Sequence, residues 1–302
     1  MKDKSFRFKA VDLVLYLLML LPPVAGIVLK ILTAPPAEGI SITGAQIYFT
    51  VPMPLQPLYI TESQVNSLIV IISVTALCLF MTHGIRAGVR TRRQLIAEWA
   101  VEKVDAMIRD NMGEYFSGFG PFIAAILALS AFSSLLSLLG LYAPTSDINI
   151  VAGWAILVFI LITYYKFKAG PAQYVKSFGE PVRLLAPLNI ISEVATPVSM
   201  AFRHYGNVLS GSVISVLLAA GLGGLSSMVF GKLPGILGTF PFFRVGIPAV
   251  LSIYFDVFSG LLQAYIFAML TMLYVSSGFP ADEYEKRKLR KAQKAQKKQK
   301  TI

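Results

Sequence analysis

Six apolar stretches constrain this chain more than any other feature of its sequence. They cover residues 11–33, 66–85, 121–142, 150–165, 188–230 and 245–277. A helix needs about 20 mainly apolar residues to span a bilayer, and most of these stretches reach that length. Only 14% of all residues are charged, whereas soluble domains average about 25%. The sequence therefore predicts an all-α polytopic membrane protein with about six membrane segments.

Basic residues are concentrated at one side of these stretches. They precede the first stretch, follow the second and the fourth, and fill the tail at 279–302, whereas residues 34–65 and 143–149 contain no Lys or Arg. The positive-inside rule then predicts that both termini and the basic tail are cytoplasmic and that residues 34–65 are external. The net charge of +11 reflects this orientation and does not indicate nucleic-acid binding. Residues 94–112 alternate apolar and charged side chains, which predicts an amphipathic helix along the membrane surface.

The first stretch has two interpretations, because a basic start followed by an apolar run is typical of both membrane helices and signal peptides. Here the apolar run is long, and no clear small-x-small cleavage site follows it. We therefore predict a retained N-terminal membrane helix over residues 1–33, with a signal peptide as the alternative. The main membrane domain is predicted over residues 66–278.

The last two stretches are too long for helices that cross a membrane at right angles. Residues 245–277 would extend about 50 Å as one α-helix at 1.5 Å per residue. Because the hydrocarbon core is about 30 Å thick, we predict that both stretches form long, strongly tilted helices.

An arginine lies in the middle of the fifth stretch. Arg203 has apolar residues on both sides, and an arginine at mid-membrane costs at least ~2.5–3.5 kcal/mol on the insertion scale. Ser199 and Asn207 lie four residues before and after it, so the α-helical period predicts that all three share a face. A fixed ion pair with Asp256 is the structural alternative for this arginine. Small residues that allow another helix to approach closely follow at Gly206, Ser210 and Gly211.

The sixth stretch also carries polar residues. Asp256 and Gln263 are seven residues apart, which predicts one helical face, and Ser259 lies between them. Ionisable groups inside a membrane are typical of ion pathways and proton relays, although a hydrogen-bonded structural acid is the alternative. Glu193 is predicted nearer the cytoplasmic interface. His204 is predicted to pack in the core more readily than to bind a ligand, and two distant histidines do not indicate a metal site.

Several motifs in this sequence resemble those of the F-type ATP synthase a subunits. Residues 197–211 read Pro-Val-Ser-Met-Ala-Phe-Arg-His-Tyr-Gly-Asn-Val-Leu-Ser-Gly, which resembles the family pattern Pro-hydrophobic-Ser-x-x-x-Arg-x-aromatic-Gly-Asn-x-x-x-Gly. Residues 263–274 resemble the family's C-terminal helix. Residues 144–149 are similar to an external loop of the family, and residues 61–66 to the approach to its first common helix. The resemblance covers residues 45–278, with the motifs in the family's order.

The resemblance implies a stationary ion-channel subunit of the Fo sector, with two half-channels that couple H⁺ or Na⁺ movement to rotation and ATP synthesis. Arg203 is then the cation that meets the carboxylate of each passing c subunit. Asp256, Asn207 and Ser212 are implied to line the external half-channel, and Gln263 to lie beside the arginine. The implied partners are the c-ring, the b subunits of the peripheral stalk and the rest of F1Fo. The implied location is a bacterial inner (plasma) membrane, and no cofactor is implied.

Three departures from the family pattern concern residues near the ion path. Ser212 stands where several members carry glutamate, and Asp256 stands where others carry histidine or glutamate. His204 and Tyr205 replace the usual Leu-Phe pair. The sequence leaves the choice between H⁺ and Na⁺ open.

Two other functions are alternatives to this one. A secondary transporter with a buried Arg-Asp pair is the alternative function, but the internal repeats common in such proteins are not evident. An intramembrane enzyme is less favoured, because the sequence contains no His-Glu-x-x-His, Gly-x-Ser-x-Gly or P-loop motif. We expect no catalysis by this chain alone.

Overall fold

The computed structural model describes most of the chain as membrane-length helices. The described residues are 10–33, 44–54, 56–85, 91–179, 183–235 and 240–279. The segment before the first helix and nearly all of the predicted basic tail lie outside them, as do residues 34–43 of the predicted external segment. The elements are α1 (Ala10–Thr33), β1 (Ile47–Val51), β2 (Leu58–Thr61), α2 (Glu62–Thr82), α3 (Arg92–Met112), α4 (Gly120–Leu135), α5 (Ile148–Ala169), α6 (Pro171–Ser177), α7 (Ala186–Phe230), α8 (Phe242–Ser252), a π-helical segment (Ile253–Ser259) and α9 (Gly260–Ser277).

Six of the described helical segments are long and apolar enough to span a membrane. They are Ala10–Thr33, Glu62–Thr82, Glu114–Leu139, Ile148–Ala169, Ala186–Phe230 and Ile253–Ser277. The third span includes 3₁₀ turns at both ends of α4. These spans confirm the predicted all-α polytopic membrane protein.

A small β-hairpin precedes α2 in the segment predicted to be external. Strands β1 and β2 pair in antiparallel fashion, with Val51 opposite Leu58. This hairpin was not predicted, although the run Ile47–Val51 contains the β-branched and aromatic residues that favour strands.

Helix α3 has the amphipathic character predicted for residues 94–112. Ile108 and Met112 are buried against the helical domain, whereas Leu95 and Trp99 are exposed. The hydroxyl oxygen of Thr91 caps the helix by accepting a hydrogen bond from the Gln94 amide at 3.2 Å. Its charged residues make α3 too polar to span a bilayer.

The main core lies between α4, α5 and α9. Ile123, Val158 and Phe267 are almost fully buried in one cluster that also receives Ile108 from α3. Helices α4 and α9 approach so closely that a Cβ atom on Gly260 would lie 2.6 Å from the Ser134 Cβ. Small residues at such a contact allow the dispersion and polar contacts that hold membrane helices together.

Helix α7 runs for 45 residues without a break. At 1.5 Å per residue it extends about 68 Å, more than twice the thickness of a hydrocarbon core of about 30 Å. Its strong tilt remains a prediction from this length.

The last apolar stretch is not one continuous α-helix. Residues Ile253–Ser259 form a π-helical segment between α8 and α9. A π-helix closes i→i+5 hydrogen bonds and turns less per residue than an α-helix. The prediction that Asp256 and Gln263 share one face assumed two α-helical turns between them. The π-helical segment does not provide those turns. Asp256 is half-buried in the π-helical segment, and Gln263 is buried in α9.

Candidate functional site

Arg203 lies on the outer face of α7. Its side chain is exposed, and so are Ser199 one turn earlier and the neighbouring Phe202. The ion pairs found within the described ranges do not include Arg203. The fixed pair with Asp256, weighed as a structural alternative, is therefore not formed. The guanidinium of Arg203 is therefore exposed and has no acidic partner among the described residues.

The opposite face of α7 packs into the helical domain. Pro197, Met200, Ala201 and His204 are buried at the i, i+3, i+4, i+7 spacing of one helical stripe. Arg203 is one residue, about 100°, away from the end of that stripe. The helical period therefore turns the arginine outward once the stripe is buried.

His204 occupies a fully buried position behind the arginine. Its Nε2 lies 3.2 Å from the Ser130 Oγ of α4. Its ring meets Trp154 and Phe267 edge-on, with centroid distances of 6.2 and 5.5 Å. Its Nδ1 has no hydrogen-bond partner among the described residues. Three neighbouring helices thus hold the residue that follows Arg203.

Asn207 lies one turn after Arg203 in the same unbroken α-helix, but its side chain bonds to a second element. Its Nδ2 donates a hydrogen bond to the Ser259 Oγ at 2.8 Å, which joins α7 to the end of the π-helical segment. Asn207 is half-buried, unlike Ser199 and Arg203. Only the latter two therefore share the open face fully. π-helical segments are frequent at functional sites, and this one carries Asp256.

Of the small residues after Arg203, one packs against the π-helical segment and the others lie on an open surface. A Cβ atom on Gly211 would lie 3.2 Å from Phe255, so this glycine allows α7 to pack against the π-helical segment. A Cβ atom on Gly206 would meet no atom within 4 Å. Ser210 and Ser212 are exposed, and the Ser212 hydroxyl donates to the Leu209 carbonyl of its own helix at 2.8 Å.

Glu193 lies near the beginning of α7, ten residues before Arg203. Its carboxylate accepts hydrogen bonds from the Lys166 Nζ at 2.6 and 2.7 Å, and from the Tyr174 hydroxyl at 3.4 Å. Burial raises the pKa of Tyr174, and the negative charge of Glu193 raises it further. The contacts join α5, α6 and α7. No sequence pattern predicts this ion pair, because Lys166 and Glu193 are 27 residues apart.

Two motifs that were predicted to be external, and are separate in the sequence, meet in the structure. The Ser63 hydroxyl donates a short hydrogen bond to the Asp147 carboxylate. The Asn66 amide donates to the Tyr142 carbonyl at 2.8 Å. Asp147 also caps α5 by accepting from the Asn149 amide at 3.0 Å. These bonds fix the start of α2 against the loop that leads into α5.

The model of the ATP synthase A chain family matches residues 65–276, well over half of the chain. The chain belongs to the ATP synthase A chain family. The match confirms the resemblance drawn from the sequence motifs. The match includes the loop at Asp147, the face of α7 that carries Arg203 and the π-helical segment, and it leaves α1 outside.

Individual relatives support the same assignment. The chain is 35% identical over 181 residues to ATP synthase subunit a of Desulforamulus reducens, covering 57% of this chain and 63% of that protein. It is 33% identical over 201 residues to ATP synthase subunit a of Bacillus pumilus, covering 62% of this chain and 79% of the relative. The subunit a of Priestia megaterium is 31% identical over 238 residues, 74% of this chain and 94% of the relative. The chain thus spans slightly less than two thirds of the first of these relatives.

Proposed function

We propose that this chain is the stationary ion-channel subunit of the Fo sector of a rotary ATP synthase. One observation carries the proposal: Arg203 projects from the outer face of a membrane-length helix and pairs with no acid among the described residues of its chain. The family membership and the relatives named ATP synthase subunit a supply the context.

The permanent charge of Arg203 and its lack of a described acidic partner fit a partner on another, moving chain. A guanidinium inside a membrane is costly unless it has a counter-charge, so its partner comes from another chain. The partner proposed is the carboxylate of a c subunit in a rotating ring. A guanidinium stays protonated in such surroundings, so it favours the ionised carboxylate and blocks direct ion flow between two half-channels. The open surface at Gly206 gives a neighbouring helix room to approach.

The ion path proposed beside the arginine uses polar residues of both long helices. Asp256, in the π-helical segment, relays the ion in the external half-channel. Asn207 and Ser259, joined by their hydrogen bond, lie between that carboxylate and the turn that carries Arg203. Ser212 and Ser199 contribute hydroxyls on the exposed face of α7. Gln263 supports the arginine from α9, and the translocated ion is H⁺ or Na⁺.

The partners proposed are the c-ring, the b subunits of a peripheral stalk and the remaining F1Fo subunits. The complex is proposed to lie in the plasma membrane of a bacterium, with both termini of this chain in the cytoplasm. A secondary transporter built on an Arg203–Asp256 pair is less favoured, because that pair is not formed among the described residues.

The test is ATP-driven ion pumping in inverted membrane vesicles, with and without Na⁺, by complexes that carry Arg203→Ala or Arg203→Lys. Both variants are expected to lose at least nine tenths of the pumping while the complex still assembles, because neither side chain reproduces the permanent, forked guanidinium. Arg244→Ala, at an exposed arginine of α8, is the matched control and retains pumping. Pumping that survives both changes at position 203 contradicts the proposal.

A further inference from the structure

Helix α1 lies outside the family match, and the proposed channel does not use it. It packs along α2, and its only charged residues are Asp12 and Lys30. These are 18 residues apart, which is about 27 Å along an α-helix and close to the thickness of a hydrocarbon core. The two charges therefore lie near opposite faces of the membrane. Most of the remaining surface of α1 is exposed and apolar, as suits contact with lipid.

Asp12 is buried at the corner where α2 ends and α3 begins. Its side chain is 3% exposed, and its Oδ1 lies 3.0 Å from the His83 Nδ1 and 3.1 Å from the Arg93 Nη1. Arg93 also donates to the Phe80 carbonyl at 3.2 Å, and its guanidinium lies 4.6 Å from the centre of the Phe80 ring. One carboxylate of α1 thus joins the end of α2 to the first turn of α3.

Lys30 makes a matching contact at the other end of α1. Its Nζ lies 3.0 Å from the Oε1 of Glu62, the first residue of α2, whose side chain is 3% exposed. The same carboxylate oxygen accepts a hydrogen bond from the Tyr142 amide at 3.2 Å. Lys30 is therefore tied to the cluster of external contacts that also holds the loop before α5.

Between the two charged contacts the helices pack closely. A Cβ atom on Gly26 would lie 2.7 Å from the Ile69 Cδ1, so only glycine allows this approach without a shift of Ile69. Ile27 packs against the buried cluster that contains Val70 and Val74 of α2. Tyr16 and Phe80 place their rings 6.4 Å apart near the Asp12 end. The contact thus extends along the whole of α1.

We propose that α1 is a permanent span of the mature subunit and braces α2 and α3 through charge pairs at both faces of the membrane. Removal of α1 would leave Glu62 and Arg93 without these counter-charges and would uncover the apolar face of α2. A buried charge that loses its partner destabilises a fold strongly. The Asp12 contact has a further role, because it fixes the start of the amphipathic helix α3 at the membrane surface.

The first measurement is the intact mass of the subunit in the purified complex, which is expected to include residues 10–33, close to the full-length 33.0 kDa. The second is the amount of subunit in membranes that carry Asp12→Asn, Arg93→Gln or Lys30→Gln. Each variant is expected to lower this amount at least threefold, while pumping per remaining complex is unchanged. Arg92→Gln is the matched control, since Arg92 is the adjacent, exposed arginine of α3, and it leaves the amount unchanged.

Lys30→Glu is expected to lower the amount of subunit further than Lys30→Gln, because it places a second carboxylate beside the buried Glu62. A mature subunit that lacks α1 would overturn the proposal, and so would Asp12→Asn and Arg93→Gln variants as abundant as Arg92→Gln. Failure here is distinguishable from failure of the channel assignment, since Arg203 variants are expected to change pumping and leave subunit abundance intact.

Discussion

The buried charges between α1 and α2 and the charge on α7 behave in opposite ways. Asp12 and Glu62 are almost fully buried, and each finds a cation within the chain at about 3 Å. Arg203 is exposed and pairs with no acid among the described residues. A charge that maintains a fold is expected to be satisfied by the fold, whereas a charge that acts on a partner stays open to it. The comparison thus separates two ionic groups that are paired within the fold from the arginine for which we propose a partner on another chain.

The strongest test of this separation is Asp256, because its burial is intermediate between that of the paired acids and that of Arg203. It is half-buried in the π-helical segment and has contacts within its own chain. If it relays ions, Asp256→Asn is expected to lower ATP-driven pumping at least tenfold, with normal assembly, because the amide cannot release a proton or bind a cation as a carboxylate does. Vesicle pumping and complex abundance are measured together. The matched control is Asp110→Asn on the exposed surface of α3; full pumping in Asp256→Asn would return this residue to the structural group.

The pair between Lys166 and Glu193 is expected to behave as a structural one. Glu193→Gln removes one partner of a partly buried pair at 2.6 Å, so we expect a loss of about 1–2 kcal/mol in the free energy of unfolding, between the values for exposed and buried pairs. Thermal unfolding of the purified complex measures the loss. The double variant with Lys166→Met is expected to be no less stable than Glu193→Gln alone, whereas additive losses would show that the two charges do not stabilise each other.

The smallest expected effect concerns the hydrogen bond from Asn207 to Ser259. Ser259→Ala removes the acceptor of a 2.8 Å bond, and such bonds between membrane helices average about 0.6 kcal/mol. We expect a slight fall in thermal stability and a two- to threefold fall in pumping, because the turn beside Arg203 loses its tie to the π-helical segment. Ser210→Ala is the control, since Ser210 bonds only its own helix in the described structure, at the Asn207 carbonyl. Equal pumping in both variants would remove Asn207 and Ser259 from the proposed path.

The features that depend on local periodicity could be predicted from the sequence. Apolar length indicated the six spans, and the alternation of apolar and charged residues indicated α3, because each signal lies within one helix. The outward direction of Arg203 also follows from the helical period, once the stripe through Pro197 and His204 is known to be buried. The position of Arg203 in the middle of the fifth apolar stretch therefore indicated a functional arginine.

The features that depend on distant pairing could not be predicted. Asp12 meets Arg93 across 81 residues, and Ser63 meets Asp147 across 84, separations at which no sequence pattern specifies a contact. The π-helical segment was missed because its composition is that of an ordinary membrane helix. The helical period places Asn207 near Arg203, but it could not predict the hydrogen bond of Asn207 with Ser259 at the end of the π-helical segment.

Helix α7 is restrained at several heights along its length. Glu193 fixes its beginning, His204 and Asn207 hold the middle, and the Ser226 hydroxyl donates to the Phe240 carbonyl at 3.4 Å near its far end. Contacts at the beginning, middle and far end oppose both rotation of the helix about its axis and sliding along it. The guanidinium of Arg203 therefore keeps one direction relative to the rest of the subunit, and in the proposed complex the relative motion would come from the c subunits. A helix fixed in this way can oppose a sideways force without a supply of energy, as the proposed role beside a rotating ring requires.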